Sequence, residues 1–160
     1  MIPETDLFAT AFFLADHAVV ENGKVYVNGG FWNNMQFAAF PVASTFSVVG
    51  VINVPWSEQN KQHRFQVVFT DLDGHQLAGE FGGEFTITPD PDADVGDPFL
   101  MPIAATANGF VFPGPGHYSA VLRIDGEELS RWGFRVSAAV PLGGAPGAPG
   151  GSGPADIPRL

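Results

Sequence analysis

The chain has 160 residues, 45% of them hydrophobic and only 15% charged, which suits one domain of ordinary size with a short appendage. It holds no cysteine, which excludes a disulfide-stapled miniprotein, a zinc–cysteine or iron–sulfur site and a cysteine nucleophile. Seven Lys and Arg against 17 Asp and Glu give a net charge of -10, which argues against nucleic-acid binding through a basic surface.

The first apolar stretch, Leu7 to Val20, has Glu4 and Asp6 ahead of it and Asp16 with His17 inside it. It lacks the basic flank of a signal peptide and the length of a membrane span, so a cytoplasmic protein that leaves membranes alone is expected. Asn22-Gly23 then separates Val19-Val20 from Val25-Tyr26-Val27, and such a pair supplies the positive backbone angles of a tight hairpin. Gly29-Gly30 marks a bend where a side chain would clash, and it leads into Phe31-Trp32.

Alternation with period two dominates the stretch from residue 44 to 139. Phe46, Val48, Gly50, Ile52 and Val54 share one face, and Phe65, Val67 and Phe69 share another. Asp73-Gly74 is read as the next turn, after which Phe81, Gly83, Phe85 and Ile87 alternate with polar or small residues. Phe37, Phe40, Phe99, Phe110 and Phe112 sit in segments too irregular to assign to a face, and Met101–Asn108 is the best helical candidate but lacks a cap. Tyr118 opens the alternation Tyr118, Ala120, Leu122, Ile124. At the start of a penultimate strand it has the place of a tyrosine corner, with its hydroxyl turned back to the chain upstream. Asp125-Gly126 turns the chain into the last strand, where Trp132, Phe134, Val136 and Ala138 share a face.

About eight short strands with such turns predict an all-β fold, an antiparallel β-sandwich of the Greek-key, immunoglobulin-like or C2-like kind, over residues 1–140. A single sheet of that many strands would leave one apolar face wet. Residues 141–160 change character: Gly and Pro together fill 11 of the 20 positions, and a flexible tail is expected. Its end, Asp156-Ile157-Pro158-Arg159-Leu160, offers Ile157, Arg159 and Leu160 as a short docking peptide, weighed against a frayed terminus.

Candidate chemistry is sparse. Asp90, Asp92, Asp94 and Asp97 are the most metal-like group, because alternate carboxylates can converge on calcium. A calcium loop, however, needs Gly where Val95 stands and a bidentate Glu where Met101 stands. Asp71-Leu72-Asp73-Gly74 looks like half a calcium loop but serves equally as a hairpin turn. The histidines at 17, 63, 75 and 117 have no zinc spacing; Asp16 and His17 are the seed of a triad only if a serine approaches. No Gly-x-Ser-x-Gly elbow or phosphate-binding glycine pattern is present, so no cofactor and no enzyme activity are expected. Trp32 and Trp56 lie outside the alternating strands, where an indole either caps the core or stacks on a sugar or a protein partner.

Ala15 to Trp32, the following Phe40-Pro41, the Asp71 to Gly74 turn, and Phe112-Pro113 through Gly116-His117-Tyr118 to Asp125-Gly126-Glu127 form a set. Together they resemble a bacterial family catalogued as domain of unknown function 6941, over about residues 7–139. The resemblance implies a compact sandwich and no assigned activity. The leading expectation is a non-catalytic module that binds another protein or itself; a carbohydrate-binding module using Trp32 or Trp56 is the alternative. An enzyme with an unrecognised site around Asp16 and His17 is the third.

Overall fold

The computed structural model describes residues 6–140. Nine strands follow one another: β1 (Phe8–Glu21), β2 (Lys24–Gly30), β3 (Asn34–Phe37), β4 (Val42–Val54), β5 (Gln62–Asp71), β6 (Gln76–Thr86), β7 (Phe99–Phe112), β8 (Gly116–Ile124) and β9 (Glu127–Ala138). A single 3-10 turn, Trp56–Glu58, joins β4 to β5. The strands form two packed sheets, ordered β2-β1-β4-β7 and β3-β9-β8-β5-β6. With β1, β4 and β7 in one sheet and β9, β8, β5 and β6 in the other, the order is that of an immunoglobulin-like Greek key rather than a C2-like one.

The antiparallel β-sandwich expected from the sequence is found, with one exception. The sandwich is not wholly antiparallel, because β3 runs parallel to β9, from Asn34 beside Arg135 to Phe37 beside Ala138. The chain reaches that edge after crossing from the first sheet, so the hairpin rule that makes neighbours antiparallel does not apply. The segment Met101–Asn108, which offered no helix cap, is strand as an all-β fold requires, and the phenylalanines around it have faces. Ser44 pairs with Phe110 and Phe46 with Ala107, so β7 carries one extra residue at Asn108-Gly109. Gly109 takes φ +64 there, as a bulge requires. The bulge shifts the alternation, so Ile103 and Ala107 before it and Phe110 and Phe112 after it all face the core.

The core is built on aromatic rings. Phe46, Phe69 and Phe112 are fully buried, and Phe69 and Phe110 sit with ring centroids 4.6 Å apart. Each such side chain contributes roughly 1.5–3 kcal/mol by leaving water, and ring pairs add about 0.5–1.5 kcal/mol. Phe12 and Leu14 of β1 point into this core, while Phe13 and Ala15 point the other way.

That second face is covered too. After Ala15, β1 leaves β4 and pairs only with β2. The Ala18 amide donates to Ser47 Oγ at 3.1 Å, and β2 touches β7 although two strands lie between them in the sheet. The β1–β2 hairpin therefore folds back over the outer face of its own sheet. Small side chains make the close approach possible: Ala15, Ala18 and Val49 are buried there with Phe13, beside Ala11 and Ala104.

The turns follow their residues. Asn22-Gly23 and Asp125-Gly126 take positive φ at both positions and close two-residue hairpins. In Asp73-Gly74 only Gly74 does so, and the turn is instead closed by Asp71 Oδ1, which accepts the amides of Asp73 and His75.

Candidate functional site

The most polar buried point is His63, near the start of β5. Its Nδ1 lies 2.7 Å from Asp125 Oδ2, and its Nε2 lies 3.1 Å from the Glu58 carbonyl oxygen. Asp125 also accepts the Arg64 amide at 2.9 Å through Oδ1, so one turn residue clamps the β8–β9 hairpin to β5. Partial burial pushes the Asp125 carboxyl up, but the His63 ring and the Arg64 amide outweigh it, and the net direction is down. Both ring nitrogens are engaged, one by the Asp125 carboxylate and the other by the Glu58 carbonyl oxygen. Among the described residues the cluster acts as a clamp between β5 and the β8–β9 turn. Sequence reading missed it: Asp125 was legible only as a turn residue, and nothing at His63 points to a partner so far along the chain.

The residues singled out from sequence fall as follows. Tyr118 Oη donates to the Gly114 carbonyl at 2.6 Å, the geometry of a tyrosine corner. Gly29 has φ +60, and a Cβ on it would strike the Asp16 carboxylate. At Gly30 a Cβ would approach Val27 Cγ1 to 2.9 Å and the Phe13 ring to 3.1 Å. Asp16 and His17 are exposed and make no side-chain hydrogen bond among the described residues, and no serine joins them in a triad.

The acidic loop does not gather its carboxylates. Asp90 Oδ1 accepts the Asp92 amide at 2.9 Å and Asp97 Oδ2 accepts the Asp94 amide at 3.1 Å, each stabilising its own turn. Among the described residues the group that converges is Asp71, Asp73 and His75. There Asp71 Oδ1 is already occupied by backbone amides. The His75 amide leads among the contacts that hold this exposed carboxyl below its ordinary range.

The tryptophans have different fates. Trp32 packs edge-on against Phe46 and Phe134, and its carbonyl accepts the Trp132 indole N–H at 3.1 Å. Its own Nε1 is buried without a protein partner among the described residues. Trp56 instead lines an open cleft of about 520 Å³ with Phe8, Asn53, Ser57 and Pro98. Ile157, Arg159 and Leu160, with the rest of 141–160, lie outside the described residues.

The feature that sequence reading did not find is an edge. A sandwich has four edge strands, each with a row of backbone groups free to pair, and proteins blunt them with charge, brevity or distortion. β3 is four residues long, β2 is carried away over the sheet face, and β6 bears Glu80 and Glu84, fixed by Gln66 and Gln62. β7 runs 14 residues without one charged side chain and pairs only with β4. Leu100 is 53% exposed and Val111 51%. Two features interrupt the row: Pro102, which has no N–H to offer, and the bulge at Asn108-Gly109. Beside this edge, between β6 and β7, opens a groove of about 390 Å³ lined by Ala78, Glu80, Phe81, Ala107, Phe110 and Val111.

Residues 10–137 match the family described as "Family of unknown function (DUF6941)". The chain belongs to this family. No curated protein matches it at a significant level. Among solved structures it is similar to an immunoglobulin-like protein from Pseudomonas aeruginosa, at 10% identity and a TM-score of 0.43, covering 84% of this chain and 98% of that one. It is also similar to the Pseudomonas fluorescens alkylpurine DNA glycosylase, at 10% identity and a TM-score of 0.43, with 79% of this chain and 30% of that one covered. A β-glucosidase from Listeria innocua matches at 9% identity and a TM-score of 0.42, over 85% of this chain and 16% of the enzyme. The DUF6941 chain thus spans well under two thirds of either enzyme. Likenesses this distant carry no activity across to DUF6941. No helix among its described residues is long and apolar enough to cross a membrane.

Proposed function

We propose that this DUF6941 chain is a non-catalytic binding module that takes up a protein strand along β7. The observation behind the reading is the uncharged edge of β7, which pairs with β4 alone and is neither short nor carried away over a sheet face. Strand addition draws affinity from main-chain hydrogen bonds and specificity from neighbouring pockets, and the groove between β6 and β7 is placed to receive a side chain of the added strand. A protein partner, rather than nucleic acid or membrane, suits a net charge of -10, and the absence of cysteine suits a reducing cytoplasm.

Residue-resolved amide exchange in dilute protein tests the reading. The β7 amides turned away from β4 exchange quickly if the edge is open; uniform protection along β7 would end the proposal. The cleft at Trp56 supports a second reading, in which the indole stacks on a sugar ring and Asn53 and Ser57 bond its hydroxyls. An oligosaccharide that shifts tryptophan fluorescence without slowing β7 exchange would move the function there.

A further inference from the structure

From the same edge we infer that the strand added to β7 is the β7 of a second copy, antiparallel across a two-fold axis. The inference rests on the strand-addition reading above and names its partner. Charge decides where two copies can meet. Each copy carries -10, so two copies repel wherever their surfaces bring carboxylates together. At β6 such an approach would set Glu80 and Glu84 against their own images. At β7 no charge of either sign stands in the strand, so two acidic chains can meet there without a like pair being buried.

The shape of β7 agrees. Its bulge at Asn108-Gly109 returns Val111 to the same outer face as Leu100, since Met101 and Ile103 before the bulge and Phe110 and Phe112 after it pack against the core. Antiparallel pairing brings the Leu100 end of one strand beside the Val111 end of the other, so the two most exposed apolar side chains of β7 cover each other. A two-fold contact uses the same strand from both copies and therefore closes at a dimer. The two four-stranded sheets become one continuous sheet of eight. Pro102 removes one donor from each strand, which weakens the ladder and keeps the association reversible.

Sedimentation velocity over a wide concentration range reads the result directly. The wild-type chain is expected to show a monomer–dimer equilibrium. Leu100→Lys with Val111→Lys, both at exposed positions, should raise the dissociation constant at least tenfold with an unchanged melting curve. Pro102→Val restores the missing donor and should lower the constant several-fold, an effect that a purely structural proline would not produce. A wild-type chain that stays monomeric throughout, or a dimer indifferent to both variants, overturns the inference. A monomer whose β7 amides exchange freely removes self-pairing but leaves strand addition by another protein intact. A monomer with β7 protected removes both.

Discussion

Asp125 does two jobs with one side chain, and only one of them is written locally. As a turn residue it takes φ +51, which Asn and Asp tolerate best, and Gly126 beside it made the hairpin legible. As an acceptor it holds His63 and the Arg64 amide, and that role depends on a strand 60 residues earlier folding against it. Replacing Asp125 with Asn keeps the turn but removes the charge facing His63. We expect a loss of about 1–2 kcal/mol at neutral pH, at the low end for bonds to a charged group because Asp125 is half exposed. Its carboxyl is held below the ordinary value, so the contribution is present above the unfolded carboxylate range and fades as pH falls through the folded value. Denaturant titrations of both proteins should therefore differ at neutral pH, begin to draw together at about pH 4, and converge once the pH is below the folded value. A gap that persists in acid would assign the effect to the turn instead. Tyr118 and Gly29 were legible for a different reason: a strand-opening Tyr and a paired glycine are constrained by backbone geometry that recurs wherever the motif does.

At the scale of elements, period-two alternation located β4, β5, β6, β8 and β9, because in each the residues of one face pack into the core, although part of the other face is also buried in β4, β5 and β8. It failed at β7 and β1, and the causes differ. In β7 the bulge puts the phenylalanines at 110 and 112 out of phase with Ile103, so no single period spans the strand. In β1 both faces are buried, Phe12 and Leu14 by the opposite sheet and Phe13 and Ala15 by the returning β1–β2 hairpin, so the pattern reads as one apolar run. The fold-back makes a testable claim about Ala15. On a bare sheet face a larger residue would be harmless; under the hairpin, Ala15→Leu is overpacked and should cost about 1–3 kcal/mol by chemical denaturation. No loss of stability would mean that the hairpin does not press on the sheet. The parallel β3 was unreadable for a simpler reason: four residues carry too little pattern to show which sheet they join.

For the whole molecule, composition and turns were enough to give a β-sandwich, while the site was not legible at all. An open edge is not a motif but the result of strand order. Only once β7 lies outermost does the missing charge in Phe99–Phe112 acquire meaning. The same 14 residues in a central strand would be ordinary core. The acidity noted at the outset takes on a role in this view, since it forbids most approaches between copies and leaves β7 as the permitted one. The most direct test is amide exchange along β7 as protein concentration rises. Amides facing away from β4 should be fast in dilute solution and slow down as copies associate, while those of β6 do not change. Protection of β7 that is complete at the lowest concentration, or a slowing that falls on β6 instead, would contradict this expectation.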